Sequence, residues 1–280
     1  MSFKITGSGS CIPSVIKENS SFLNNSFYDE CGKKFGIDNK TIIDKFNSIT
    51  GINQRKYANA DLTTSDLAYI AAQSAIKDAD IDPEALDYII VAHNFGDITC
   101  NSKQIDTLPS LASRVKSKLK IKNPKCIAYD ILFGCPGWVE GMIQAQAFIK
   151  AEMAKKCLVI GADALSRVID SHDRDSMIYA DGAGATVLEK SNLEGGILSH
   201  STLTFTSEDE ADFIFYGESC NKYIDNGDKY IKMQGRKVYE FALSNVPFAM
   251  KQCLDDSGVS IERLKKIFIH QANKKMDEAI

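Results

Sequence analysis

Cys135 is the residue in this sequence best placed for covalent chemistry. It stands in Phe133-Gly134-Cys135-Pro136-Gly137-Trp138, between a short apolar run and a longer one of helical character. Its small neighbours let a substrate approach the sulfur closely. Pro136 suits the first turn of a helix, which places Cys135 at or near the N-cap. The positive end of the helix dipole is expected to lower the thiol pKa there, and the backbone N–H is available to a developing oxyanion. Cys11, Cys126, Cys157 and Cys253 read instead as inert core thiols. A thiol nucleophile needs a partner, and the chain has four histidines: 93, 172, 200 and 270. His270 closes the apolar run Ile267-Phe-Ile and opens His270-Gln-Ala-Asn273. Ligands of α/β folds gather beyond the carboxyl ends of strands, where both Cys135 and His270 are expected. A hydrogen-bonded structural histidine is the alternative reading of His270.

Other chemistries find less support. No cysteine pair has C-x-x-C spacing and no histidine stands at a zinc spacing from one, so no metal site is expected. Nothing points to a bound cofactor. Asp181-Gly-Ala-Gly-Ala-Thr lacks the third glycine of a dinucleotide fingerprint and reads as a tight turn between strands. Glu208-Asp-Glu-Ala-Asp212 reads as a solvated loop. His172-Asp-Arg174 has no serine elbow to complete a triad. The chain has 280 residues, is 44% hydrophobic and carries a net charge of −4. That balance argues against disorder and against a general partner in nucleic acid or an anionic membrane surface. No apolar run reaches the roughly 18 residues of a membrane helix, and the first residues lack a signal-peptide core. A cytoplasmic location is expected, with the eight cysteines as free thiols.

The elements that must position Cys135 alternate along the chain. Strands are expected at 3–7, 88–92, 126–130, 157–160, 185–188, 196–202 and 267–269. Helices are expected at 65–78, capped by Thr64 or Ser65, and at 109–119, 136–153 and 235–255. This is a layered α/β protein. Residues 76–92 and 254–270 align without a gap at an offset of 178, with Asp78/Asp256, Glu84/Glu262, Leu86/Leu264 and Ile89/Ile267 identical. The pattern is that of a duplicated α/β domain, with a first half over 1–190 and a second starting at 191–280. A βαβ unit needs roughly 30 residues, and ten follow His270. The second half is therefore expected to be incomplete within these residues.

Taken together, Cys135-Pro-Gly, Ile160-Gly-Ala-Asp-Ala-Leu-Ser-Arg167, Asp173-Arg174, Tyr179-Ala-Asp-Gly-Ala-Gly-Ala185 and His270-Gln-Ala-Asn273 resemble the thiolase-fold condensing enzymes, specifically the β-ketoacyl-ACP synthase III group. The resemblance covers nearly the whole chain. It implies a thiolase-like duplicated α/β fold, normally homodimeric, and a decarboxylating Claisen condensation of an acyl primer with malonyl-ACP. Cys135 would be the acylated nucleophile and His270 the stabiliser of the enolate. The family's third residue, an asparagine in a His-Gly-Asn turn, has no counterpart here, and neither has the glycine-rich strand pair that completes the oxyanion hole. Asn273 matches the last residue of the family's His-Gln-Ala-Asn instead. Arg174, Leu108, Gly235 and Asn273 take substrate-binding positions, with Leu108 reaching into a partner subunit's acyl pocket. The segment 94–107 is longer than the family's. Lys45 and Ile49 stand near where the family has an adenine-stacking tryptophan and an arginine, which favours an acyl-ACP primer over acyl-CoA. Arg236, Lys237, Lys274 and Lys275 would form a docking patch for acyl carrier protein. A related ketosynthase of secondary metabolism and a non-catalytic partner subunit are the alternatives.

Overall fold

The computed structural model describes residues 2–224 and 227–280. In chain order the elements are β1 (Ser2–Cys11), β2 (Val15–Glu18), α1 (Asn39–Thr50), β3 (Gln54–Tyr57), α2 (Thr64–Ala79), β4 (Tyr88–His93), α3 (Leu111–Lys118), β5 (Ile127–Leu132), α4 (Gly137–Lys150), β6 (Lys156–Ala164), β7 (Asp181–Ser191), β8 (Ile214–Gly217), β9 (Tyr230–Met233), α5 (Gly235–Ser257) and α6 (Lys274–Ala279). The chain divides into two compact units. The first holds residues 1–15, 56–167 and 180–198, and the second the remainder.

The first unit is built on a five-stranded sheet ordered β1-β7-β6-β4-β5. β4 runs parallel to both β5 and β6, while β7 is antiparallel to β6 and to β1. Alternate residues of each central strand face opposite layers. Ile89, Val91, Leu158 and Ile160 pack with α2 and α3, through Leu67, Ala71, Ala75, Leu111 and Val115. Ile90, Val159 and Leu188 pack with α4, through Met142, Ala145 and Ile149. Strands covered on both faces must be apolar throughout, which explains the run Tyr88-Ile-Ile-Val-Ala. The close fit of β1 on α2 depends on glycine. A Cβ on Gly7 or Gly9 would lie 2.3 Å from the carbonyl oxygen of Ala75 or Ala71.

Several expectations shift. The cap of α2 is Thr63, one residue earlier than expected, in a reciprocal capping box with Asp66. Ser65 is turned away to donate to Asp97 at 2.7 Å. The sequence Asp181-Gly-Ala-Gly-Ala-Thr is the start of β7 and not a turn. Its acid has a structural role: Asp181 accepts from the backbone N–H of Ala58 at 2.7 Å and from Ser166, at 2.8 Å from the backbone and 2.6 Å from the hydroxyl. Neither 196–202 nor 267–269 forms a strand. An apolar run becomes a strand only where neighbours offer backbone partners, and among the described residues neither segment has them.

The second unit has a small apolar cluster of Phe22, Phe27, Ile42, Ile43 and Met177. It also holds the hairpin β8–β9. The 23-residue helix α5 carries Pro247 in its interior and has no fully buried residue.

Candidate active site

Cys135 lies between the end of β5 and the start of α4, beyond the carboxyl ends of the parallel strands, and it is exposed. Pro136 is the helix N-cap, and the cysteine is the residue directly before it, near the cap as expected. The turn is closed by Gly137 N–H donating to the Gly134 carbonyl at 2.8 Å. Glycines seat α4 on the sheet. A Cβ on Gly137 would meet Ala92 at 2.7 Å, one on Gly161 would meet Trp138 at 3.2 Å, and one on Gly141 would meet Val159 at 2.7 Å. The helix start is thus pressed onto the ends of β4 and β6. The thiol pKa is raised, against the sequence expectation. Desolvation is the main cause and the Asp163 carboxylate the second, and the backbone hydrogen bond only partly offsets them.

Beneath the nucleophile is a polar layer that the sequence reading did not assemble. His93 is buried at the end of β4. Its Nε2 pairs with Asp130 of β5 at 3.1 Å and its Nδ1 accepts from Gly96 N–H at 3.0 Å, so it is a structural histidine. Asp130 in turn accepts from the first backbone N–H groups of α3, Leu111 at 2.7 Å and Ala112 at 2.8 Å, where a carboxylate is favoured. Asn94, next to His93, binds Asp163 of β6 with both its backbone and side chain. Burial pushes Asp163 up to about 6, against the hydrogen bonds from Asn94. The signal for Asp163 was an acid inside the otherwise apolar run Cys157-Leu-Val-Ile-Gly-Ala-Asp-Ala. The segment 94–107 is tied down by backbone pairing of Asp97 with Asp106 and by Arg114, which binds both carboxylates at 2.7 Å. Leu108, at its end, is 85% exposed.

In the second unit, His270 is exposed and belongs to no strand. Asn273 caps α6, its Oδ1 accepting from Lys275 N–H at 3.0 Å and Met276 N–H at 3.2 Å. Arg174 stacks over Phe35 at 4.8 Å and lies 3.6 Å from Asp175. Asp175, pushed up to about 6 by burial and then by Asp173, stands 3.4 Å from where a Cβ on Gly235 would be. Arg236 pairs with Glu240 at 2.8 Å, Lys237 with Asp209, and Lys274 with Glu278 at 3.6 Å. The basic patch is therefore partly neutralised by its own neighbours. The acidic segment 208–212 is almost wholly exposed, as expected of a solvated loop, with Asp209 in that pair and a short 3-10 turn at Glu210–Asp212.

One cluster went unread. Ligand atoms of Asp170, Asp173 and Cys220 converge as they would on a cation. The Lys232 ammonium fills that position, at 2.7 Å from Asp170, 3.0 Å from Asp173 and 3.1 Å from the Cys220 sulfur. Burial alone would raise Asp170 and lower Lys232. The charge pairing outweighs it in both, so Asp170 is held below the usual carboxylate range and Lys232 above the usual amine range. Cys220 is pushed up to about 11, mainly by burial.

Among the described residues no helix is long and apolar enough to cross a membrane. Residues 129–204 match the family model of 3-oxoacyl-[acyl-carrier-protein] synthase III. The chain is 32% identical over 279 residues to a β-ketoacyl-[acyl-carrier-protein] synthase III of Erythrobacter litoralis, covering 98% of this chain and 78% of the relative. It is 34% identical over 278 residues to the enzyme of that name from Neisseria gonorrhoeae, covering 99% and 79%. The crystal structure of 3-oxoacyl-[acyl-carrier-protein] synthase III from Aquifex aeolicus superimposes with a TM-score of 0.80 at 29% identity, over 99% of this chain and 79% of that one. The thiolase-like α/β fold, the cysteine-bearing turn at the strand ends and these likenesses agree, and the chain belongs to the β-ketoacyl-[acyl-carrier-protein] synthase III family of condensing acyltransferases.

Proposed function

We propose that this chain condenses an acyl primer with malonyl-ACP through an acyl-Cys135 intermediate. The Cys135 sulfur attacks the primer thioester, a new C–S bond forms, and the carrier thiol leaves with a proton. Malonyl-ACP then loses carbon dioxide, and the enolate attacks the acyl-cysteine carbonyl and expels the Cys135 sulfur. His270 stabilises the enolate, and Arg174, Leu108, Gly235 and Asn273 hold substrate. The observation that carries this reading is the exposed Cys135 at the carboxyl ends of parallel strands, between Gly134 and the Pro136-Gly137 helix start.

The partners follow from the same reading. Acyl carrier protein, itself acidic, docks on Arg236, Lys237, Lys274 and Lys275; of the pairs there, the Arg236–Glu240 contact is exposed and weak. Lys45 and Ile49 are both exposed on α1 and offer no aromatic surface to an adenine, which supports acyl-ACP as the primer donor. A homodimer is supported by β5, an edge strand whose Ile127 and Leu132 are exposed. The setting is cytoplasmic. The test is intact mass after incubation with an acyl thioester. One acyl group is expected on the natural protein and none on Cys135→Ser, and acylation from acyl-ACP should outrun acylation from acyl-CoA. Absence of acyl mass on the natural protein overturns the nucleophile. Equal or faster transfer from CoA overturns the donor preference.

A further inference from the structure

Arg114 of α3 turns its whole guanidinium onto the segment that leads into its own helix. Nη1 donates to the buried Asp97 at 2.7 Å, Nη2 to Asp106 at 2.7 Å and Nε to the Pro109 carbonyl at 2.9 Å. The two acids are also joined through the backbone, the N–H of each donating to the carbonyl of the other at 2.9 Å. Gly96, at φ 72°, permits that closure: a Cβ there would lie 2.7 Å from the Asp106 carbonyl oxygen and 2.8 Å from the Thr107 side chain. Residues 97–106 thus form a loop closed at its base, and the guanidinium staples that base to α3. The staple is itself anchored. Asp97 accepts from the Ser65 backbone N–H and hydroxyl, both at 2.7 Å, at the start of α2. The start of α3 is held by Asp130 of β5, the strand that leads into the Cys135 turn.

Leu108 stands between the arms of the staple. Its N–H donates to Asp106 Oδ1 at 3.2 Å, and the carbonyl of the next residue, Pro109, takes Arg114 Nε. Its side chain is exposed. An exposed leucine is ordinary on a protein surface. One whose backbone is tied on both sides to a charge-assisted network is held in one place.

We propose that Arg114 is a positioning residue that sets which acyl chains the protein accepts: with Asp97 and Asp106 it fixes the backbone on both sides of Leu108, and so makes that side chain an unyielding wall for the acyl chain. The proposal rests on the reading of Cys135 as the acylated residue and Leu108 as a substrate-holding one. A wall discriminates by length only if it does not move aside, which requires support from behind. Arg114 supplies the support without touching substrate. Its side chain is only 16% exposed, and all three of its nitrogens are engaged. The planar fork of arginine reaches three acceptors at once, which a lysine ammonium at the end of a flexible stem does not match.

The experiment measures acyl transfer to Cys135 by intact mass, over a series of acyl-ACP donors from acetyl to dodecanoyl, with hydrogen exchange at the Asp97 and Asp106 amides on the same samples. In Arg114→Met the spread between the fastest and slowest donors should shrink by roughly 10-fold, the scale on which an apolar pocket discriminates one methylene, and both amides should exchange faster. Leu108→Ala should shrink the spread as well, and adding Arg114→Met to it should shrink the spread no further, because the two residues act as a unit. Asp106→Ala removes the more exposed anchor and leaves the Asp97–Arg114 pair in place. It should shrink the spread in the same direction, so misfolding of Arg114→Met does not shield the proposal. A merely structural Arg114 would slow every donor by the same factor and leave the spread unchanged, and that result overturns the proposal. Additive effects of Leu108→Ala and Arg114→Met on the spread overturn it too. No uptake from any donor by the natural protein is a different result: it sinks the acyl-transfer reading itself, and this proposal with it.

Discussion

Residues 76–92 and 254–270 are two copies of one sequence pattern, and they fold alike for half their length. In both, a long helix ends at a residue of left-handed conformation, Asp80 with φ 50° and Gly258 with φ 67°. In both, three residues later, a 3-10 turn begins, at Pro83–Ala85 and at Ile261–Arg263. Then they part. Leu86, Ile89 and Ile90 are fully buried, the last two in β4, whereas Leu264, Ile267 and Phe268 are 42%, 55% and 87% exposed and form no strand. Helix ends and tight turns need only the residues within a few positions of them. A strand needs backbone partners from elsewhere. β4 has β5 and β6 on its two sides, and 267–269 has no such neighbours among the described residues. The same apolar letters give a core strand in one place and an exposed loop in the other.

The largest expected effect tests the buried ion cluster on β9 of the second unit. Lys232 is buried against Asp170 and Asp173, so Lys232→Ala leaves carboxylates buried without a cation. The cost is about 3–5 kcal/mol, read as a lower urea midpoint and faster hydrogen exchange at the Cys220 amide, which donates to Asp170 at 2.7 Å. The pH dependence carries a sign. In the natural protein Asp170 is depressed, so its contribution is complete above the unfolded pKa of about 4 and fades as pH falls through the folded value. Without the ammonium, burial is opposed only by the hydrogen bonds from the Cys220 and His172 amides and the Ser219 hydroxyl, so the pKa rises from its natural value and the variant should lose less stability than the natural protein as pH falls. A variant with an unchanged midpoint and unchanged exchange would mean that the cluster orders nothing.

The next effect is the comparison itself. Ile89→Ala removes side-chain atoms from a fully buried site and should cost about 2–5 kcal/mol. Ile267→Ala, at the matching position, should fall within about 0.5 kcal/mol. Urea midpoints of the two variants check this. A large loss at Ile267 would show that the segment packs in solution as its sequence copy does.

This contrast explains what was legible in the sequence. The apolar run of β4, the caps and the turn around Cys135 are written in contiguous residues. So is the family resemblance, which rests on short motifs. The cap lies at Thr63 and not at Thr64 or Ser65: three adjacent hydroxyl residues look alike in sequence, Asp66 completes a capping box with Thr63, and Ser65 is engaged by Asp97 of a distant loop. The pairs Asn94–Asp163, His93–Asp130 and Lys232–Asp170 join residues 69, 37 and 62 positions apart. No periodicity announces such pairs. The thiol pKa was misread for a related reason: the local dipole was visible in the sequence, and the desolvation of the thiol in the fold, with the carboxylate on a neighbouring strand as a second cause, was not.

The smallest effect probes the half of the pattern that the copies share. The helix-end positions both lie at positive φ, where a side chain with a Cβ is strained. Gly258→Ala should cost about 1 kcal/mol, because the strain in the folded state exceeds the entropy removed from the unfolded chain. Asp80→Gly runs the other way: it relieves the same strain and adds unfolded-state freedom, so its net effect should lie within about 0.5 kcal/mol. Both effects arise at the helix end itself and should be independent of whether a strand or a loop comes next in the chain. The Asp80 and Gly258 backbone N–H groups close the last turns, onto the Ile76 and Lys77 carbonyls in one copy and the Asp255 carbonyl in the other. Hydrogen exchange at those two amides reads each cap separately from global stability. Faster exchange at residue 258 in Gly258→Ala, with slower or unchanged exchange at residue 80 in Asp80→Gly, is the expected pair of results. If Gly258→Ala left its amide as protected as before, the left-handed cap would not be what ends α5, and the likeness of the two copies would be confined to their letters.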